Sequence, residues 1–194
     1  MNVLEEAIVF ATNAHAGQTR KMDHTPYILH PLEVAAIIGS VTNDLELMAA
    51  GVLHDTMEDC GVEAKELKAR FGPRVAALVQ SESEDRQSTR PAEETWMERK
   101  SESLLMLQYT ASMDVKFLWL GDKLSNMRSF ARSFRKDGHA IWNNLHQKDP
   151  RMHCWYYRTI LENLSEFKGT DAYEELSFLI DRVFEGVEPY DGEE

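Results

Sequence analysis

Residues 51–59, Gly51-Val52-Leu53-His54-Asp55-Thr56-Met57-Glu58-Asp59, gather four ionisable side chains behind an apolar approach of Leu47, Met48, Ala49, Val52 and Leu53. At helical spacing His54 shares a face with Glu58, and Asp55 with Asp59, because side chains four apart lie one above the other. Carboxylates crowded at the end of a buried segment repel one another and lose hydration unless a cation sits among them. A divalent metal meets that need. Taken alone, the stretch also fits a helix that surfaces and ends in a solvated acidic turn before Gly61.

The elements that must position these groups read as helices. Asn43 or Asp44 suits the N-cap of the central helix and Gly61 its stop. Before it, a helix over about Asn2 to Ala14 carries the stripe Leu4, Ala7, Ile8 and Ala11, and residues 16–24 form an exposed polar loop. Two prolines bracket the turn Pro26-Tyr27-Ile28-Leu29-His30-Pro31, and Pro31 suits a first helical turn, which puts His30 at a helix mouth. Two short helices follow the centre, one ending at Phe71-Gly72-Pro73 and one carrying Val75, Ala76, Leu78 and Val79. Residues 81–94 hold almost nothing that can be buried, the composition of a mobile loop or a lid.

Helices are expected over Trp96 to Tyr109, Met113 to Phe134, Arg151 to Phe167 and Ala172 to Phe184, with an acidic tail, 186–194, that frays. On the longest helix, Met113, Phe117, Leu120, Leu124, Met127 and Ala131 form a core stripe at roughly 100° per residue. The opposite face, Val115, Leu118, Asp122, Asn126 and Ser129, passes from apolar to polar, as a wall running from core into a pocket does. No strand-like alternation, repeat or low-complexity segment occurs, so the fold class is all-α, with residues 1–185 as one domain. His30, His54, Asp55 and Asp122 are thereby candidate metal ligands drawn from separate elements. Two imidazoles and two carboxylates suit Mn, Fe or Zn, and such a cation acidifies water near neutral pH.

Composition narrows the class further. With 194 residues, 43% of them hydrophobic, the chain buries a proper core. No apolar run reaches the roughly 18 residues of a membrane span, and the start, Met1-Asn2-Val3-Leu4-Glu5-Glu6, lacks the basic region of a secretory signal. Two isolated cysteines, Cys60 and Cys154, point to the reducing cytoplasm and away from a zinc knuckle. A net charge of −12 argues against general nucleic-acid or membrane-surface binding, which needs a basic face. A small phosphorylated ligand held by a local Arg/Lys cluster is compatible with it.

Five motifs in order carry a resemblance to a known family: Ala14-His15-Ala16-Gly17-Gln18-Thr19-Arg20-Lys21, Pro26-Tyr27-Ile28-Leu29-His30-Pro31, His54-Asp55-Thr56-Met57-Glu58-Asp59, Phe71-Gly72 and Asp122-Lys123-Leu124-Ser125-Asn126-Met127-Arg128, with Trp155-Tyr156-Tyr157 beyond them. The chain resembles the HD-domain phosphohydrolases, and among them the RelA/SpoT-type hydrolase domains and stand-alone small alarmone hydrolases. The resemblance implies an HD-domain helical bundle and a Mn-dependent hydrolase that removes the 3′-diphosphate of ppGpp or pppGpp, releasing pyrophosphate and GDP or GTP. It implies Mn2+ on His30, His54, Asp55 and Asp122, with Glu58 and Asp59 orienting and activating the attacking water. Arg20 and Lys21 then meet the guanine or its phosphates and Asn126 the ribose and 3′-phosphate side. Lys123 is a further candidate for phosphoryl charge.

Three positions depart from the family pattern. Trp119 and Gly121 stand where small or aliphatic residues are usual, and Ser125 replaces a common histidine; these bear on the shape of the pocket. Ser83-Glu84-Asp85-Arg86 resembles an acidic-basic segment near the family's site. No synthetase or regulatory domain follows, so a full-length bifunctional enzyme is not expected. His15, His24, His139, His146 and His153 read as structural or solvated, and Trp96, Trp142 and Trp155 as packing. Two other activities remain open: a non-catalytic alarmone- or nucleotide-binding module, and an HD phosphatase acting on NADPH or a nucleoside monophosphate.

Overall fold

Helix α1, Val3–Ala14, starts from a reciprocal cap in which the Asn2 side chain accepts the Glu5 N–H while the Glu5 carboxylate accepts the Asn2 N–H. The computed structural model describes residues 1–22, 24–82, 91 and 93–192. Helices α2 (Leu29–Val41), α3 (Leu45–Leu53), α4 (Thr56–Cys60), α5 (Ala64–Phe71) and α6 (Pro73–Glu82) complete the first half of the chain. Helices α7 (Trp96–Tyr109), α8 (Met113–Asp137), α9 (Pro150–Asn163) and α10 (Asp171–Val183) form the second. Short 3-10 turns cover Gly138–Asn144 and Ser165–Phe167. The fold is all-α; among the described residues the one extended pairing is an isolated antiparallel bridge between Thr19 and Pro26. No described helix is long and apolar enough to cross a membrane.

The expected central helix is two helices. Asp44 caps α3 by accepting the N–H groups of Glu46 and Leu47, but the helix ends at Leu53 and α4 begins at Thr56. Two side-chain bonds compete with the helical ladder at the break: the His54 ring meets the Gly51 carbonyl at 2.8 Å, and Thr56 Oγ1 donates to the Leu53 carbonyl at 2.6 Å. His54 and Asp55 therefore occupy a turn, although Asp59 N–H still reaches the Asp55 carbonyl at 2.8 Å. Gly61 closes α4 at φ 69°, a left-handed cap that glycine takes without steric cost.

Two cores meet along α2 and α8. One gathers α1, α2, α3, α5 and α6 with Leu118, and the other gathers α7, α9 and α10 around the middle of α8. Two glycines set the spacing at the seam. A Cβ on Gly51 would lie 2.7 Å from Ile38 Cδ1, and one on Gly121 would lie 3.1 Å from Val34 Cγ1 and 3.2 Å from the Val34 carbonyl. Helices α3 and α8 thus both approach α2 so closely that a side chain at either glycine would require its neighbours to shift. Gly121 brings the next residue, Asp122, to the first turn of α2, where His30 lies.

Several expectations need correction. Helix α8 is buried on both faces: Leu118, Leu120, Leu124 and Met127 are enclosed, while Met113, placed in the core stripe, is 42% exposed at the helix start. Ser81 and Glu82 continue α6, and the rest of the expected loop, including Ser83-Glu84-Asp85-Arg86, falls mostly outside the described residues. From Val187 to Tyr190 the chain is docked rather than frayed. Val187 packs against the second core, and Tyr190 N–H donates to the Arg151 carbonyl at 3.1 Å.

Candidate metal centre and adjoining cleft

Four side chains from α2, the α3–α4 turn and α8 converge at the seam. The rings of His30 and His54 lie 5.1 Å apart at 74°, and both residues are 4% exposed. Asp122 Oδ1 is 3.1 Å from His30 Nε2 and 3.7 Å from His54 Nε2. Asp55 Oδ2 is 3.0 Å from His54 Nε2 and 3.5 Å from His30 Nε2. Ligand-capable atoms of His30, His54 and Asp122 all fall within 4.8 Å of one another. Asp55 Oδ2, the same oxygen that faces the imidazoles, also accepts the Tyr27 hydroxyl at 2.7 Å, which fixes the carboxylate.

This donor set suits a divalent metal, and one atom argues for it directly. His54 Nε2 is buried with no hydrogen-bond partner, because Nδ1 must carry the proton donated to the Gly51 carbonyl. A buried, unsatisfied nitrogen lone pair facing two carboxylates is costly unless a cation takes it up. The local field points the same way. Burial opposes protonation of His54, yet Asp55 and Asp122 raise its pKa well above the usual range. Burial likewise works against ionisation of Asp122, but Lys123, His30 and His54 hold its carboxyl well below the ordinary carboxylate range. Asp55 is lowered too, the two imidazoles outweighing its own desolvation. His30 is held neutral, chiefly by burial.

A cleft of about 460 Å³ opens beside these groups. Arg20, Lys21, Tyr27, Asp59 and Asn126 line it, together with an apolar wall of Met22, Phe130 and Leu145. Arg20 Nη2 donates to Asn126 Oδ1 at 2.9 Å, and Asn126 Nδ2 donates to Asp122 Oδ1 at 2.6 Å. Two of the three positions expected to meet substrate, Arg20 and Asn126, are therefore linked to the metal-ligand set. Lys21 Nζ is 3.1 Å from His146 Nε2 at the rim. The segment carrying Arg20 is pinned rather than free, with Arg20 N–H on the Thr25 carbonyl and Tyr27 N–H on the Gln18 carbonyl, both at 2.9 Å. Arg20 also divides this cleft from a second one, of about 400 Å³, that reaches His30, Glu33 and Ser125.

Of the two acids after the turn, Asp59 lines the cleft, and its carboxyl is raised by burial and by Asp55. Glu58, one position before it in α4, is half-buried. Lys123 does not reach the cleft walls. Its ammonium is paired with Asp122 Oδ2 and sits 4.5 Å over the Trp119 ring, which accounts for the aromatic residue at that position. Glu82 is the acid the sequence does not single out. Its Oε1 is buried without a hydrogen-bond partner, and burial pushes its pKa up to about 8 while Lys123 pulls it back. The signal for it was its spacing, since Val75, Val79 and Glu82 share one face of α6 and both valines are fully buried. His15 and His153 are buried in structural roles, on Gln18 and on the Gln147 carbonyl.

A sequence profile described as the HD domain matches residues 7–150, the span that carries all four convergent side chains. The chain belongs to the HD-domain family. It is 37% identical over 130 residues to the guanosine-3′,5′-bis(diphosphate) 3′-pyrophosphohydrolase of Vibrio cholerae, covering 66% of this chain and 18% of that one. It is 36% identical over 134 residues to the pyrophosphohydrolase MESH1 of Danio rerio, covering 67% and 70%. The chain spans only 18–27% of the first curated relatives it matches, whereas MESH1 is of similar size. A structure described as a metazoan ortholog of SpoT that hydrolyses ppGpp superimposes with a TM-score of 0.71 over 96% of both chains at 24% identity, which shows a shared HD-domain fold.

Proposed function

We propose that this HD domain hydrolyses the 3′-diphosphate of guanosine tetra- or pentaphosphate, releasing pyrophosphate and GDP or GTP. The observation that carries the reading is the convergence of His30, His54, Asp55 and Asp122 beside a cleft that offers cations, an apolar wall and a raised carboxyl. The relatives named as 3′-pyrophosphohydrolases support the substrate class. Both cysteines are free thiols, in keeping with a cytoplasmic protein.

Those four side chains would hold the cation, taken to be Mn2+, which supplies Lewis acidity toward water and phosphoryl oxygens. Asp59 accepts the proton of the attacking water; desolvation and Asp55 bring its affinity for that proton closer to neutrality than an ordinary carboxylate's. Glu58 orients the water with it. Tyr27, whose own proton is held firmly by burial, keeps Asp55 in place. Arg20 and Lys21 meet the substrate's guanine or its phosphates, Asn126 holds the ribose side, and Phe130 and Leu145 exclude water from the base. Glu82, protonated below about pH 8, adds no further negative charge next to Asp55 and Asp122.

The test is a panel of ppGpp, NADPH and nucleoside monophosphates incubated with Mn2+-loaded protein. Pyrophosphate is expected from ppGpp alone. His54→Ala and Asp122→Ala should abolish it, and Asp59→Asn should lower kcat about 10²–10⁴-fold. Because burial and Asp55 raise the Asp59 carboxyl, the acidic limb of the activity should lie at higher pH than an ordinary aspartate would give, and that limb should vanish in Asp59→Asn. Thermal stabilisation by ppGpp without product would instead establish a binding module, and turnover of another nucleotide would reassign the substrate.

A further inference from the structure

The two imidazoles at the metal centre are held in place by different means. His54 Nδ1 is served by the Gly51 carbonyl of α3, the helix that His54 follows. His30 Nδ1 lies 2.8 Å from Ser125 Oγ on α8, and Ser125 is 1% exposed. Ser125 Oγ donates its single proton to Glu33 Oε2 at 2.6 Å, so toward His30 it can only accept. The proton therefore sits on His30 Nδ1, and Nε2 presents its lone pair to Asp55 and Asp122. The line continues outward. Arg128 Nη1 donates to Glu33 Oε1 at 3.1 Å, and the Arg128 Nε and Nη2 groups clasp both oxygens of Glu175 at 2.7 and 2.6 Å.

We propose that Ser125 and Glu33 are positioning residues that select the Nδ1–H tautomer of His30, and that Arg128 and Glu175 anchor this pair to α10. The line crosses from α2 to α8, returns to α2, passes back through α8 and ends on the last helix, so the orientation of one metal-ligand candidate depends on how α10 is docked. A ligand imidazole whose other nitrogen donates to a fixed acceptor is both oriented and made more basic, and loss of such a partner typically costs about 10–100-fold in metal affinity. Arg128 is suited to the anchoring role because its planar fork matches a carboxylate with two parallel bonds. The inference rests on the cation-binding reading of the site and is independent of which nucleotide is cleaved.

Two measurements on the full chain test it, neither of which uses turnover. In metal-free, ¹⁵N-labelled protein at mildly alkaline pH, long-range ¹H–¹⁵N spectra should show His30 with a protonated Nδ1 and a bare Nε2. Ser125→Thr keeps the hydroxyl and should preserve that pattern, whereas Ser125→Ala should give mixed tautomers. Titration with Mn2+, followed by the electron paramagnetic resonance signal of the free ion, should give about 10–100-fold weaker binding for Ser125→Ala and near wild-type binding for Ser125→Thr. Glu33→Gln, at a half-buried position that is less critical for folding, should fall between them. Folded Ser125→Ala or Glu33→Gln protein with wild-type Mn2+ affinity and an unchanged His30 tautomer would overturn the proposal alone. Wild-type protein that binds no Mn2+ would overturn the cation reading with it.

Discussion

The two halves of the molecule fill their interiors differently. The core around α1, α2, α3, α5 and α6 is built from Ala, Val, Leu and Ile, and Phe71 is the one aromatic ring among its buried, described members. The core around α7, α8, α9 and α10 holds Trp96, Trp119, Trp142, Tyr156, Tyr157, Tyr173, Phe167 and Phe184. Small side chains let backbones approach, so in the first half a main-chain group, the Gly51 carbonyl, can position His54. Large rings hold helices apart, and the second half positions its groups by filling volume and by ion pairs, as Trp119 and Lys123 do for Asp122. The convergent side chains lie where the two modes meet.

Four substitutions probe this contrast, beginning with the largest expected effect. Trp142 stacks on Phe184 at 5.5 Å and on His153 at 5.4 Å, so Trp142→Ala should cost about 3–5 kcal/mol in urea unfolding. A loss below about 1 kcal/mol would show that aromatic filling does not hold the second half. At the seam, the added methyl of Gly121→Ala meets the Val34 backbone, and the crowding should cost about 1–3 kcal/mol. Gly51→Ala crowds side-chain atoms, Ile38 Cδ1 at 2.7 Å and Val34 Cγ1 at 3.3 Å, and the gain of up to about 1 kcal/mol from replacing a helical glycine should leave it near neutral. Equal losses at the two glycines would erase the distinction between backbone and side-chain approach. Arg74 braces the seam from outside, pairing with Asp44, Glu46 and Asp114 while 38% exposed. Arg74→Ala should cost no more than about 1 kcal/mol, and the loss should shrink as salt is added.

Helices whose ends carry strong local signals are legible in the sequence. Asn2 with Glu5, Asp44, Pro73 and Gly61 mark boundaries that the structure keeps within a residue or two. The positions His30, His54, Asp55 and Asp122 are legible because each is a chemically costly residue at the end or on the polar face of an apolar segment. Other features depend on competition that no periodicity reveals. The break after Leu53 arises from the His54 and Thr56 side chains bonding to backbone carbonyls. Glu82 is obscured by the polar residues that follow it, although it continues the Val75–Val79 face. Lys123 looks available for substrate because its partner, Asp122, is its immediate neighbour, and adjacent residues on a helix are not expected to meet. Val187 and Tyr190 dock on α9 through contacts that only the tertiary fold brings within reach.

The distance along the chain between Asp55 and Asp122 gives the seam one more property. An ion gripped by both is a reversible cross-link that closes a long loop of chain and joins the aliphatic layer to the aromatic one. Closing such a loop removes freedom from the unfolded ensemble, and an ion that binds only the native form raises the melting temperature as its free concentration rises. With an ion bound, its retention and the cohesion of the two layers would be a single equilibrium, and a chelator should lower the melting temperature of the metal-loaded protein in a thermal scan.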